Sequence, residues 1–143
     1  MLGQLIEQSE QLTIVDMEAS VEHMSRGTVR HTDVLLVVTE PYYRSLETAG
    51  RIGALARDLG IRQVYAVANK VRGQRDEEAI RRYCAERDLE VAAVLPFDDE
   101  VLEADQSGTP VLDRRPESPY VAEVERLAER LLREARPRAS QPA

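Results

Sequence analysis

Residues 12–28 read LTIVDMEASVEHMSRGT, and the reading of this stretch decides the fold. Its apolar, β-branched start has the content of a strand over residues 12–17, with the carboxylate of Asp16 at the end of the apolar run. In the polar, helical segment that follows, Glu18, Glu22 and Arg26 recur at four-residue spacing. Glu22 and Arg26 make a favourable helical pair, and Gly27 suits the stop. In a parallel α/β protein the carboxyl end of a strand faces the crevice where ligands bind. Asp16 there either caps the next helix or holds a hydrated metal ion beside a phosphate.

Working outward, DVLLVVT at 33–39 is a near-continuous β-branched and leucine run, the pattern of a strand covered on both faces. Pro41 breaks the chain, and Ser45 is the expected cap of a helix reaching Leu59, with Ala49, Ile52, Ala56 and Leu59 on one face. Gly60 supplies the left-handed residue after it, and Ile61 the apolar residue that follows. A strand over 64–68 ends in Asn69-Lys70, and a polar loop over 71–75 turns at Gly73. Asp76 is the expected cap of a helix burying Ile80, Tyr83 and Cys84. A fourth strand over 91–95 stops at Pro96, and Asp98 or Asp99 starts a short helix to about residue 104. Ser118 caps the last helix, Pro119 takes its first position, and Val121, Val124, Leu127, Ala128, Leu131 and Leu132 form its stripe. Upstream, Leu2, Leu5 and Ile6 share one face of a short helix. The alternation predicts one α/β domain over 1–136, three layers with a mostly parallel sheet and helices on both faces, and a disordered tail over 137–143.

Composition excludes several functions. A net charge of −7 disfavours a broad nucleic-acid footprint, and the absence of tryptophan argues against a stacking platform for single strands. One cysteine rules out an intrachain disulfide and a cysteine-based metal site made by a single chain alone. No apolar run is long enough for a membrane span, and the first ten residues lack signal-peptide character, so the expected compartment is the cytoplasm.

Right-handed crossovers gather Asp16, Glu40, Asn69 and Pro96-Phe97-Asp98 at one sheet edge. Asp16 fits the Mg²⁺-associated carboxylate of the second nucleotide-binding motif of P-loop NTPases. Asn69-Lys70 resembles the start of a base-recognition loop. Its fourth position is Arg72 rather than the carboxylate that guanine needs, so adenine is the better match for the Asn69 amide. Pro96, Phe97 and Asp98 are placed to supply backbone and ring contacts to the same base. Nothing reads G-x-x-x-x-G-K-[ST], so no catalytic residue is assigned. His23 has no second histidine at helical spacing and is read as an exposed or partner-facing residue. His31 is read as a surface loop residue, Cys84 as core, and no nickel ligand set is assigned.

DMEASVEHMSRGT resembles the switch II region of carbon monoxide dehydrogenase accessory ATPases, the CooC-type nickel-insertion proteins of the MinD/ParA (SIMIBI) group of P-loop ATPases. The resemblance continues through DVLLVVTEPYYRSLETAGRIGALARDLGI, VANKV and LPFDDEVLEADQSGTPVLD, covering most of residues 12–113. It implies a Mg²⁺-associated Asp16, nucleotide contacts from Asn69, Lys70, Pro96, Phe97 and Asp98, and a γ-phosphate switch built on Glu18, Ser20, Glu22, His23 and Arg26. Ser20 stands where the family has glycine. The family's amino-terminal part, with the phosphate-loop lysine and a Cys-x-Cys pair, has no counterpart in this sequence.

The resemblance thus implies the C-terminal portion of an ATP- and Mg²⁺-dependent metallochaperone for nickel insertion into carbon monoxide dehydrogenase, inactive in hydrolysis alone. It also implies a dimer or a partner bearing the P-loop, with carbon monoxide dehydrogenase as client; charge and composition leave neither nucleic acid nor membrane as expected partner. In the family the phosphate-loop strand lies between the Asp16 strand and the next one. Its loss leaves three outcomes: the remaining strands close up, a partner supplies the strand, or the chain is part of a longer product. The alternatives are a non-catalytic α/β interaction module and a fragment of a ParA/MinD-type partition ATPase, the latter disfavoured by the acidic balance.

Overall fold

The computed structural model describes residues 12–18, 24, 27 and 31–135. Three parallel strands, β1 (Val34–Thr39), β2 (Gln63–Val71) and β3 (Glu90–Pro96), form a sheet in the order β1-β2-β3. Helix α1 (Tyr43–Asp58) connects the first pair and α2 (Gln74–Ala85) the second; both lie on one face. After β3 come the short helices α3 (Asp99–Ser107) and α4 (Val111–Arg114), then α5 (Pro119–Ala135), which packs on β3 from the opposite face. This is the expected layered α/β arrangement, with three strands among the described residues.

Strand alternation sorts the side chains between the two faces. Toward α1 and α2, Ala66, Ala68 and Val71 of β2 meet Leu46, Ile80, Cys84 and Leu89, with Val91 and Val94 of β3 partly buried against them. Val37 meets Ala49 and Ile52 beside them, and Met24 packs on that cluster from the switch-like segment. Toward α5, Val67, Ala93 and Leu95 pack with Leu36, Tyr120 and Leu127. Gly50 lets the Arg87 side chain lie close over α1: a Cβ there would lie 2.9 Å from Arg87 Cδ and 3.2 Å from the Tyr83 hydroxyl.

Local signals set most helix ends. Gly60 takes φ 92°, its N–H donates to the Arg57 carbonyl, and the Ile61 N–H donates to Ala56, closing α1 with Ile61 buried. Ser118 caps α5 by accepting from the Val121 N–H at 3.1 Å, with Pro119 as first helical residue. Asp98 caps α3 through the Glu100 N–H at 2.9 Å.

Four expectations are corrected. Residues 12–17 are not a strand: they have no regular structure, and Leu12, Ile14, Val15 and Met17 are exposed, Ile14 by 85%. A strand exists only through a ladder, and no described strand lies on the outer side of β1 to supply one. Of the three outcomes, closing up of the strands is therefore not the one seen. Second, among the described residues β1 is fully covered on one face only; on the α5 side Leu36 is partly buried and Val38 is 58% exposed. Third, Ser45 does not cap α1. Tyr42, extended at φ −118° and ψ 141°, is the N-cap, because Pro41 brings the chain into the helix earlier; the Ser45 hydroxyl accepts from the Glu40 N–H at 2.9 Å. Fourth, Gly73 rather than Asp76 is the N-cap of α2. Asp76, three residues on, reaches back to the Arg72 N–H at 3.0 Å. The stripe on α5 is also only partly used: Val121 is buried, while Val124 and Leu132 are exposed. The helices expected over 2–11 and 18–27 and the tail over 137–143 lie wholly or largely outside the described residues.

Candidate functional site

The carboxyl ends of the three strands share one edge. β1 and β2 run in register to Thr39 opposite Ala68, so the next residues, Glu40 and Asn69, emerge side by side. β2 then departs from regular pairing. Ala68 pairs with Val94 and Val71 with Pro96, three steps along β2 against two along β3, which makes Asn69-Lys70 a bulge. Lys70 takes up the extra residue at φ 56°, a left-handed conformation uncommon outside glycine and asparagine. Bulges re-aim side chains, and this one turns two consecutive polar residues at the sheet edge.

Lys70 Nζ lies 2.5 Å from a Glu40 carboxylate oxygen. That hydrogen bond, reinforced by the opposite charge, raises the Lys70 ammonium above its ordinary value. Glu40 is fixed from behind: its N–H donates to Ser45 Oγ, which is itself 3.1 Å from the buried Thr39 hydroxyl. The pair is half open to water, so its contribution to stability is small, and its effect is to fix where Lys70 points.

On the β3 side, the Phe97 N–H donates to the Val71 carbonyl at 2.9 Å, tying the two strand ends together. The Arg72 guanidinium lies over the Phe97 ring, 4.2 Å from its centroid. Pro96, Phe97 and Asp98 are half-buried, as is Asn69. One Asp98 carboxylate oxygen is committed to capping α3, which leaves the Asn69 amide and the Phe97 ring as the groups here suited to reading a flat polar ligand.

The structure thus brings together Glu40, Asn69, Lys70, Pro96, Phe97 and Asp98. It does not bring Asp16 or Glu18 to them: both lie exposed in the irregular stretch 12–18, and among the described residues no hydrogen bond or ion pair ties either to the edge. Ser20, Glu22, His23 and Arg26 lie outside the described residues. Among those residues no cluster of three or more histidine, cysteine or carboxylate side chains is arranged for a metal. His31 is exposed. Cys84 is buried, and burial raises its thiol above the ordinary range. No helix among the described residues is long and apolar enough to cross a membrane.

Sequence reasoning placed Glu40 at this edge without a role and did not foresee the Arg72–Phe97 contact. The signal for Glu40 was available: a carboxylate directly after β1 and a lysine directly after the β2 core face each other once the strands are parallel. The Arg72 contact depends on the bulge, which leaves no mark in hydrophobic periodicity.

No protein-family model matches the sequence. The chain is 38% identical over 116 residues to the carbon monoxide dehydrogenase accessory protein CooC of Rhodospirillum rubrum, a match covering 81% of this chain and 43% of that protein. It is 39% identical over 112 residues to an uncharacterised ATP-binding protein of Methanocaldococcus jannaschii, covering 78% of this chain and 43% of the relative. Among solved structures, the MinD cell division protein of Aquifex aeolicus superposes with a TM-score of 0.63 at 19% identity, over 80% of this chain and 48% of that one. MinD of Pyrococcus horikoshii, solved with Mg-ADP, gives a TM-score of 0.59 at 22% identity, over 71% and 42%. The chain spans less than half the length of these curated relatives. Sequence likeness assigns this chain to the CooC-type ATP-binding proteins, and its fold is that of part of the MinD cell division proteins.

Proposed function

We propose that the chain is the carboxyl-terminal, base-binding and switch-bearing portion of an ATP-dependent metallochaperone ATPase that serves nickel insertion into carbon monoxide dehydrogenase. The observation that carries this reading is the likeness to CooC over four-fifths of the chain. In this role Asn69 presents its amide to the adenine edge, Pro96 and Phe97 form the rim of the base site, and Lys70 is held aside by Glu40. Residues 18–26 act as the switch that responds to the γ-phosphate. Asp16 is the residue to hold Mg²⁺. Exposed at the end of its stretch, it suits an ion that keeps much of its water and takes phosphate oxygens as further ligands. The bound Mg²⁺ supplies neutralisation of phosphate charge. The working compartment in this reading is the cytoplasm.

Hydrolysis needs more than these residues. A triphosphate is held by successive backbone N–H groups and a lysine, and no such glycine-lysine loop occurs in the 143 residues. The chain by itself therefore binds nucleotide weakly and turns none over. The outer edge of β1, unpaired among the described residues, with the exposed Val38 and the apolar side chains of residues 12–17, is where a further strand and its phosphate loop fit, from a longer product or a separate chain. Purified chain assayed with Mg-ATP is expected to release phosphate at the uncatalysed rate. Turnover at an ordinary enzyme rate, about 1 per second or faster, would sink the claim.

The same open edge favours a second reading, a strand-accepting interaction module without catalysis. A stable complex indifferent to nucleotide would support it; nucleotide-dependent dimerisation of the chain would exclude it.

A further inference from the structure

The Arg72 side chain has no role in the reading above, yet it is the one charged group set against the ring of the base rim. Two hydrogen bonds fix the relation of the two residues. The Arg72 N–H donates to Asp76 at 3.0 Å, which holds the start of the β2–α2 turn. The Phe97 N–H donates to the Val71 carbonyl at 2.9 Å, which holds the chain after β3 against the residue preceding Arg72. The guanidinium then lies 4.2 Å from the centroid of the chain's only phenylalanine. The ring thus occupies one side of that cation. Arg72 is exposed, and among the described residues no carboxylate pairs with its guanidinium, so the side away from the ring is open. Lys70, the other cation at this edge, is committed to Glu40 and cannot serve the same end.

We propose that Arg72 is a base-stacking residue: the outer face of its guanidinium, backed by Phe97, is the platform on which the purine ring of an adenine nucleotide lies while Asn69 meets its edge. A guanidinium stacks on flat π systems where an ammonium does not, so the role belongs to arginine and not to positive charge alone. Stacking is indifferent to which purine lies on the platform, and discrimination stays with the Asn69 amide. The proposal rests on the reading of this edge as a base site.

The test is a titration of the ¹⁵N-labelled full chain with adenosine, which carries the base without phosphate, following the Asn69 side-chain amide, the Phe97 N–H and the Arg72 Nε–H. Saturable shifts at all three are expected in the millimolar range. Arg72→Ala should weaken binding about tenfold, and Arg72→Lys should weaken it nearly as much because the charge remains and the plane does not. Phe97→Leu, which keeps bulk and removes the ring, should weaken it less than Arg72→Ala. Unchanged shifts of the buried Ile80 and Cys84 amides report that each variant is folded. If the wild-type chain shows no adenosine shifts at these positions, the base-site reading fails and this proposal with it. If the wild type binds and Arg72→Ala binds within twofold of it, or Arg72→Lys binds like wild type, the stacking role alone is overturned.

Discussion

On one face of the sheet, Ile80, Cys84, Ala56 and Ala66 have almost no exposed surface, and α1 and α2 together cover β1, β2 and β3. On the other, α5 covers β3, while Val38 of β1 and Val124 and Leu132 of α5 are left in water. The first face is closed by contacts that lie near one another in sequence, strand to helix to next strand. On the second, Leu36 of β1 is partly buried against the α5 cluster and Val38 is uncovered among the described residues. The difference teaches which face of the sheet is closed by its own helices and which is closed only in part among the described residues. It also separates the site: Glu40, Asn69, Lys70 and Phe97 rise from the built strands, whereas Asp16 sits in the stretch with no ladder.

The largest expected effect breaks the closed face. Ile80→Ala removes a fully buried side chain from the cluster between α2 and the sheet and should cost about 2–5 kcal/mol. Ile14→Ala, the same kind of truncation at an 85% exposed residue, should stay within about 0.5 kcal/mol. Urea midpoints at equal m-value measure both. Comparable losses at the two positions would mean that residues 12–17 pack in solution and that the contrast between the faces is wrong.

A middle-sized effect sharpens the comparison at α5, the helix that the open face does hold. Ser118→Ala leaves the Val121 N–H without its acceptor at the buried start of that helix and should cost about 0.5–2 kcal/mol. Ser118→Asp, which caps equally well by chemistry, should recover part of the loss only if the buried pocket admits the larger group. Thermal unfolding of the two variants beside wild type reads the result. A Ser118→Ala variant as stable as wild type would show that α5 is held by its β3 contacts alone.

What the sequence made legible follows the same division. The runs 33–39 and 91–95, Gly60 with Ile61, and Ser118-Pro119 are local signals, and each element appeared within a few residues of its expected bounds. Residues 12–17 carry an equally good strand pattern and form none, because a ladder needs a neighbour that composition cannot supply. Ser45 and Asp76 have the residue type of caps; both do bind backbone N–H groups, but of Glu40 and Arg72, since each helix starts earlier than its best-looking cap. The edge residues were legible as a set by strand order. The bulge that orients Asn69 and turns Lys70 to Glu40 was not, for register shifts arise from pairing between strands distant in sequence.

The smallest effect lies at the far end of α5, where the helix is latched to the amino ends of β2 and β3. Arg130 pairs with Glu134 at 2.9 Å and Glu90 at 2.7 Å and stacks over the Tyr65 ring, whose hydroxyl donates to Glu134 at 3.0 Å. The hydrogen bond from Arg130, helped by that from Tyr65, holds the Glu134 carboxyl below its ordinary 4.5. A carboxyl depressed on folding adds stability that is fully present above its unfolded value and is lost as pH falls through the folded one. The latch should therefore be whole at neutral pH and weaken below about pH 4.5. Glu134→Gln removes the charge at every pH, so the gap in urea midpoint between it and wild type should be constant from pH 8 to about 5.5 and shrink below that. The partners are partly open to water, which keeps the gap small. A gap that does not narrow in acid would show that Glu134 contributes nothing as an anion, and that the α5 end of the open face is held by packing on β3 rather than by charge.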